Sequence, residues 1–149
     1  MNYSAGIIPY RLNKEGKYEF FLGHPGGEFW SKKNYWAFLK GGTEEGENWL
    51  AAAKREFKEE SGIDISEYPD SDFIPLGSVL QNNKKTAIAY ALYISDIDCE
   101  KCHSNLIEDG VTPEIDKYKW MTFDEVLDCT NNTHIVFYDR LIKILTENR

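Results

Sequence analysis

The segment NWLAAAKREFKEESG, residues 48–62, constrains the fold more than any other stretch of the chain. Its alanines and long charged side chains favour a helix, and Gly62 suits the left-handed position just past a helix end. At about 100° per residue, Leu50, Ala53 and Phe57 line up as an apolar stripe that has to be covered. Glu56, Glu59 and Glu60 fall within an arc of roughly 100° beside that stripe. Like charges at i,i+4, as at Glu56 and Glu60, weaken a helix by roughly 0.2–0.5 kcal/mol per pair. Ala52, one turn back on the same side, leaves room next to them. The acids therefore border the buried face, where a cleft can form.

The rest of the chain supplies a sheet for this helix to cover. Ser4–Arg11 and Tyr18–Gly23 read as strands joined by the polar turn LNKEGK. WAFL at 36–39 reads as a short strand running into a glycine-rich turn. Phe73–Leu80 and Thr86–Tyr93 read as a strand pair about Asn82-Asn83. Residues 94–117 look irregular and acidic, and Tyr118–Met121 reads as a short strand. Thr122 and Glu125 make a capping-box pattern. From Asn132 to Leu145, apolar residues recur at helical spacing. The expectation is a single α/β domain over residues 1–149, a length sufficient to bury a real core.

Three converging carboxylates suit a hard divalent cation such as Mg²⁺, which takes oxygen ligands. They equally suit a solvated helix face, since charge runs usually are surface. The wider frame decides between the two. GGTEEGENWLAAAKREFKEESGI resembles the signature of the Nudix hydrolases: Gly, five residues, Glu, seven residues, then Arg-Glu-apolar-x-Glu-Glu-x-Gly-apolar. Gly41, Glu47, Arg55, Glu56, Phe57, Glu59, Glu60, Gly62 and Ile63 fill every constrained position. SAGIIPYR, HPGGEFW, LGSV and PEIDKYKW are similar to a bacterial Nudix subgroup described as predicted NTP pyrophosphohydrolases. The chain departs from the usual Pro-Lys-Gly start of the signature, with Leu39-Lys40-Gly41 in its place.

The resemblance implies a Nudix-type α/β/α sandwich with a mixed sheet. It also implies Mg²⁺- or Mn²⁺-dependent hydrolysis of a phosphoanhydride in a nucleoside diphosphate-linked compound. A nucleoside triphosphate or dinucleoside polyphosphate leads, ahead of ADP-ribose or a nucleotide sugar. Carried over by position, Glu56, Glu59 and Glu60 are the implied metal ligands, with Glu56 or Glu59 also handling the attacking water. Glu47 and Arg55 are the implied structural ion pair, and Gly41 and Gly62 the implied structural glycines. A later-loop carboxylate is expected to join them, with Glu114 preferred over Glu108. Lys40 is a candidate phosphate contact. Trp36 and Tyr90 are candidate base contacts, although strand aromatics more often serve the core. A nucleotide-sensing domain without turnover is the rival from another class, and the complete acid set argues against it.

Charge and cysteine usage narrow the partners. A formal net charge of -8 disfavours long nucleic acid held by a basic surface, but not a small phosphorylated molecule bound through a cation. No apolar run is long enough to span a bilayer. The first residues lack the pattern of a secretory signal, so a cytoplasmic location is expected. Cys99, Cys102 and Cys129 are expected as free thiols. CEKCH at 99–103 matches short haem and zinc patterns, and zinc would need a further ligand such as Cys129 or His134. A thiol-bearing loop is the better reading.

Overall fold

A computed structural model describes residues 2–147. Its organising element is β1 (Asn2–Leu12), whose central residues are buried on both faces. A strand covered on both sides reads as a continuous apolar run, as SAGIIPY does. β1 runs parallel to β5 (Lys85–Tyr93), pairing Asn2 with Lys85 through to Tyr10 with Tyr93. Its other edge is divided. Ser4–Ile7 pair antiparallel with β3 (Leu39–Gly42), and Tyr10–Leu12 pair antiparallel with β2 (Tyr18–Pro25). β4 (Ile74–Asn82) and β6 (Ile115–Thr122) extend the sheet to the order β4-β5-β1-β2-β6, with β3 off that path.

Side chains alternate across the sheet, and each face has its own helical cover. Ala5, Ile7, Phe21, Leu39, Ile88 and Leu92 face α1 (Trp49–Ser61), meeting Ala52, Ala53 and Phe57. Full burial of a side chain such as Phe57 contributes about 1.5–3 kcal/mol. Ile8, Phe20, Leu22 and Ala87 face the other way, towards α2 (Phe123–Cys129) and α3 (Asn132–Glu147). Val126, Phe137, Tyr138 and Leu141 close that side. The result is the expected α/β/α sandwich on a mixed sheet. Among the described residues, no helix is long and apolar enough to cross a membrane.

Several boundaries move from their sequence-based positions. The short strand is Leu39–Gly42 rather than 36–39, and Ala37 makes only an isolated bridge to Gly23. The glycines of LKGG read as a turn, yet they pair with Ser4 and Ala5 of β1. Leu39, where the signature usually has Pro, pairs with Ile7 and is buried on the α1 side. Asn48 is not in the helix but caps it, its Oδ1 accepting from Ala51 N–H at 2.7 Å. β6 begins at Ile115, inside the stretch expected to be irregular, because it completes a long ladder on β2. The Thr122–Glu125 pair does open a helix, with Thr122 N–H donating to Glu125 Oε1 at 3.0 Å.

Candidate active site

α1 is fixed at both ends before any chemistry is considered. Asn48 caps its start, and Gly62, at φ 78°, donates its N–H to Lys58 O at 2.8 Å. A Cβ at Gly62 would also press on the His103 ring. Between these caps, Arg55 organises the acids. Its Nε and Nη2 donate to the two carboxylate oxygens of Glu47 at 2.9 and 3.0 Å. Nη2 also reaches Gly42 O at 2.9 Å, tying the loop after β3 to the helix. Nη1 donates to Glu56 at 2.9 Å and to Glu59 at 3.3 Å. These charge-assisted bonds hold the Glu47 carboxyl below its ordinary range. They also offset part of the repulsion that the clustered acids create.

Glu60 is the exceptional member. It is only 4% exposed, and its Oε2 is buried with no partner. Burial first, then a hydrogen bond with Glu56 and the charges of Glu114 and Glu56, push its carboxyl up to about 10, against a smaller opposing pull from Lys40. Without a cation it is protonated at neutral pH. Gly41 lies directly against Glu56, where a Cβ would collide with the carboxyl group. Glu114 arrives from the loop before β6. Its N–H donates to Asn105 O at 2.8 Å, and Asn105 N–H donates to Glu59 O at 2.9 Å. Its carboxyl is raised by partial desolvation and by the charges of Glu56 and Glu59. Glu108 lies exposed in the preceding turn.

A cation fits this donor set. An orphaned buried carboxylate oxygen on Glu60, a second buried carboxylate at Glu56 beside it, and a glycine cradle leave the acids incompletely satisfied by the protein alone. As they stand with Arg55 between Glu56 and Glu59, no three such side chains among the described residues are already at ligating separation. Glu56, Glu59, Glu60 and Glu114 are the residues that would hold the ion.

Next to the acids is a pocket of about 200 Å³, lined by Tyr35, Phe38, Lys40, Glu60, Glu114 and His134. Its walls come from the end of β2, the approach to β3, the end of α1, the start of β6 and the first turn of α3. Burial, reinforced by Lys85 and opposed by Glu60 and Glu56, lowers the Lys40 ammonium to about 8. The structure does not bring Trp36 or Tyr90 here. Trp36 packs edge-on against His24 at 5.2 Å, and its backbone N–H donates to Cys129 O. Tyr90 sits beside Asn48 and Trp49 at the start of α1. Tyr35, Phe38 and His134 carry no sequence signal as pocket residues, because the loop before β3 and the start of α3 meet only in the folded chain. A larger hollow of about 440 Å³ lies between Ile63, Tyr68, Ile97 and Cys102 and holds none of the signature acids.

Cys99 and Cys102 are half-buried free thiols in a 3₁₀ turn, and burial pushes Cys102 up to about 12. Cys129 and His134 lie across the sheet from them, with Cys129 near Met121 and His134 bonded to Gln81. The four do not converge on one ion. Cys99→Ser and Cys102→Ser are therefore expected to leave turnover largely intact in steady-state assays. Stoichiometric zinc lost together with activity in either variant would contradict this.

Residues 3–141 match the family model described as the NUDIX domain. The chain belongs to the Nudix family. An RNA pyrophosphohydrolase of Campylobacter jejuni is 29% identical over 125 residues, covering 76% of this Nudix chain and 75% of that protein. Among solved structures, a C. elegans Ap4A hydrolase binary complex superposes with a TM-score of 0.73 at 19% identity, covering 99% of both chains. The NUDIX domain of Shewanella oneidensis NrtR complexed with ADP ribose gives 0.68 at 12% identity, over 96% of this chain and 87% of that one. At such identities the two structures speak for the fold alone.

Proposed function

We propose that this Nudix pyrophosphohydrolase uses Mg²⁺ or Mn²⁺ to cleave a phosphoanhydride of a small nucleotide, a nucleoside triphosphate or dinucleoside polyphosphate. The observation that carries the reading is the buried, unsatisfied Glu60 joined to Glu56 beside the Lys40 pocket. A bound divalent cation supplies charge against phosphate oxygens and makes a water molecule more acidic. Glu56, Glu59, Glu60 and Glu114 hold it. Of the two candidates for accepting a proton from the attacking water, Glu56 and Glu59, the greater exposure of Glu59 favours Glu59. Lys40 meets the phosphate chain as a point charge. Arg55 keeps the loop and helix in register through Glu47 and Gly42.

The relative named as an RNA pyrophosphohydrolase favours a second reading, the triphosphorylated end of an RNA. The net charge of -8 places free nucleotides first. The structural neighbours bound to ADP ribose or named for Ap4A keep ADP-ribose in the test panel. A cytoplasmic setting belongs to the same reading, since three free thiols suit a reducing compartment.

The expected result is Mg²⁺-dependent cleavage of an anhydride bond, abolished by EDTA and identified by mass spectrometry of the products. The panel should contain nucleoside triphosphates, dinucleoside polyphosphates, ADP-ribose and triphosphorylated RNA. Release of phosphate only from simple monoesters would refute the proposal. Preference for RNA over every free nucleotide would select the second reading.

A further inference from the structure

His134 stands in the first turn of α3, is only 1% exposed, and lines the pocket that holds Lys40 and Glu60. Its Nε2 lies 3.0 Å from Gln81 Oε1. A carboxamide oxygen can only accept, so Nε2 carries the ring hydrogen. Burial, with Lys40 and Lys85 nearby, lowers the imidazole to about 4 and keeps it neutral. The other nitrogen, Nδ1, is then left with a lone pair, and it is buried with no partner in the protein. Phe38 packs edge-on against the ring at 5.2 Å and holds its plane. A fixed, buried acceptor without a donor is costly, and in a substrate pocket the missing donor is naturally supplied by the ligand.

The shape of the pocket indicates which part of a ligand this is. Lys40, Glu60 and Glu114 provide its charged end, where phosphate belongs. Pro25, Tyr35 and Phe38 provide flat, largely apolar walls suited to a planar ring. We infer that His134 is a specificity-determining residue whose Nδ1 accepts a hydrogen bond from the exocyclic amine of a nucleobase seated in this pocket. The inference rests on the nucleotide reading above. Adenine offers such an amine. Hypoxanthine offers a carbonyl oxygen at the same place and would set acceptor against acceptor.

The test compares adenosine and inosine triphosphates, and the corresponding dinucleoside tetraphosphates, as substrates with Mg²⁺. The unaltered protein should favour the adenine member by at least about tenfold in kcat/KM, the effect residing mainly in KM because the contact is remote from phosphorus. His134→Phe should reduce that preference to about twofold or less, read as the ratio of the two kcat/KM values whatever the variant's overall turnover. Gln81→Leu, which frees the ring hydrogen to move to Nδ1, should lower the preference independently and serves if His134→Phe does not fold. Equal kcat/KM for the two bases in the unaltered protein would overturn the inference alone. So would a preference that persists in folded His134→Phe. Failure to hydrolyse any nucleotide would instead remove the reading on which the inference stands.

Discussion

Glu60→Gln is expected to lose roughly a hundredfold or more in turnover, about 2.7 kcal/mol of transition-state stabilisation, while its metal-free form melts no lower than the parent. The two halves have one cause. In the metal-free protein Glu60 is neutral, buried and bonded to Glu56, and an amide replaces a protonated carboxyl with little change of shape. The folded carboxyl is raised to about 10 from an ordinary value of 4.5. Folding therefore takes up a proton between those limits, and stability falls as pH rises through that window. Below about 4.5 the group is protonated in both states and the loss disappears. Glutamine has no such dependence, so the stability advantage of the variant should be small in acid and grow towards neutral and alkaline pH. Mg²⁺ should raise the parent's melting temperature more than the variant's, because only the parent presents the full acid set. Thermal melts across pH, with and without Mg²⁺, together with steady-state kinetics, test each part. Near-parental turnover would remove Glu60 from the site, and an unfolded variant would assign it to the framework.

Gly41→Ala is expected to lower both stability and turnover. Its added Cβ has no space, because the Glu56 carboxyl occupies that position. Overpacking of this kind costs about 1–3 kcal/mol, and displacement of Glu56 should lower turnover by at least about tenfold. Gly42→Ala is the control. A Cβ there meets nothing within 4 Å, so both stability and turnover should remain near the parent's. Equal behaviour of the two variants in melts and kinetics would show that the close approach at Gly41 has no bearing on the acids.

The parts that sequence reading recovered share a physical property: they are local. α1 announces itself through spacing, Asn48 and Gly62, and the acids follow from its periodicity. The β1, β2, β4 and β5 strands are long, apolar and bounded by polar turns. β3 was misplaced because its pairing partner lies far back in the chain, and LKGG carries no strand signal of its own. The pocket was harder still. Tyr35 precedes β3 and His134 begins α3, so only the folded sheet makes them neighbours of Glu114, to which the family pattern does point. Trp36 and Tyr90 are base-contact candidates by residue type alone. Their positions depend on which face of which strand they occupy.

The pairing of β3 with β1 also determines how the chain tolerates being lengthened or shortened. Gly41 stands opposite Ala5 and Lys40 opposite Gly6. Because neighbours on a strand point to opposite faces, one residue goes to the α1 acids and the other to the pocket. Loss or gain of a single residue at 39–41 would exchange these roles, pressing a lysine stem against Glu56 and leaving the pocket without its ammonium. Gly6 guards against such a shift, since a Cβ there would collide with Lys40 and Leu39. The turn at 44–46 is exposed but is tied back by Glu44 N–H to Glu47 Oε1 at 3.0 Å and through Glu47 to Arg55, so the count is kept from this strand into the helix and variation in length belongs outside it.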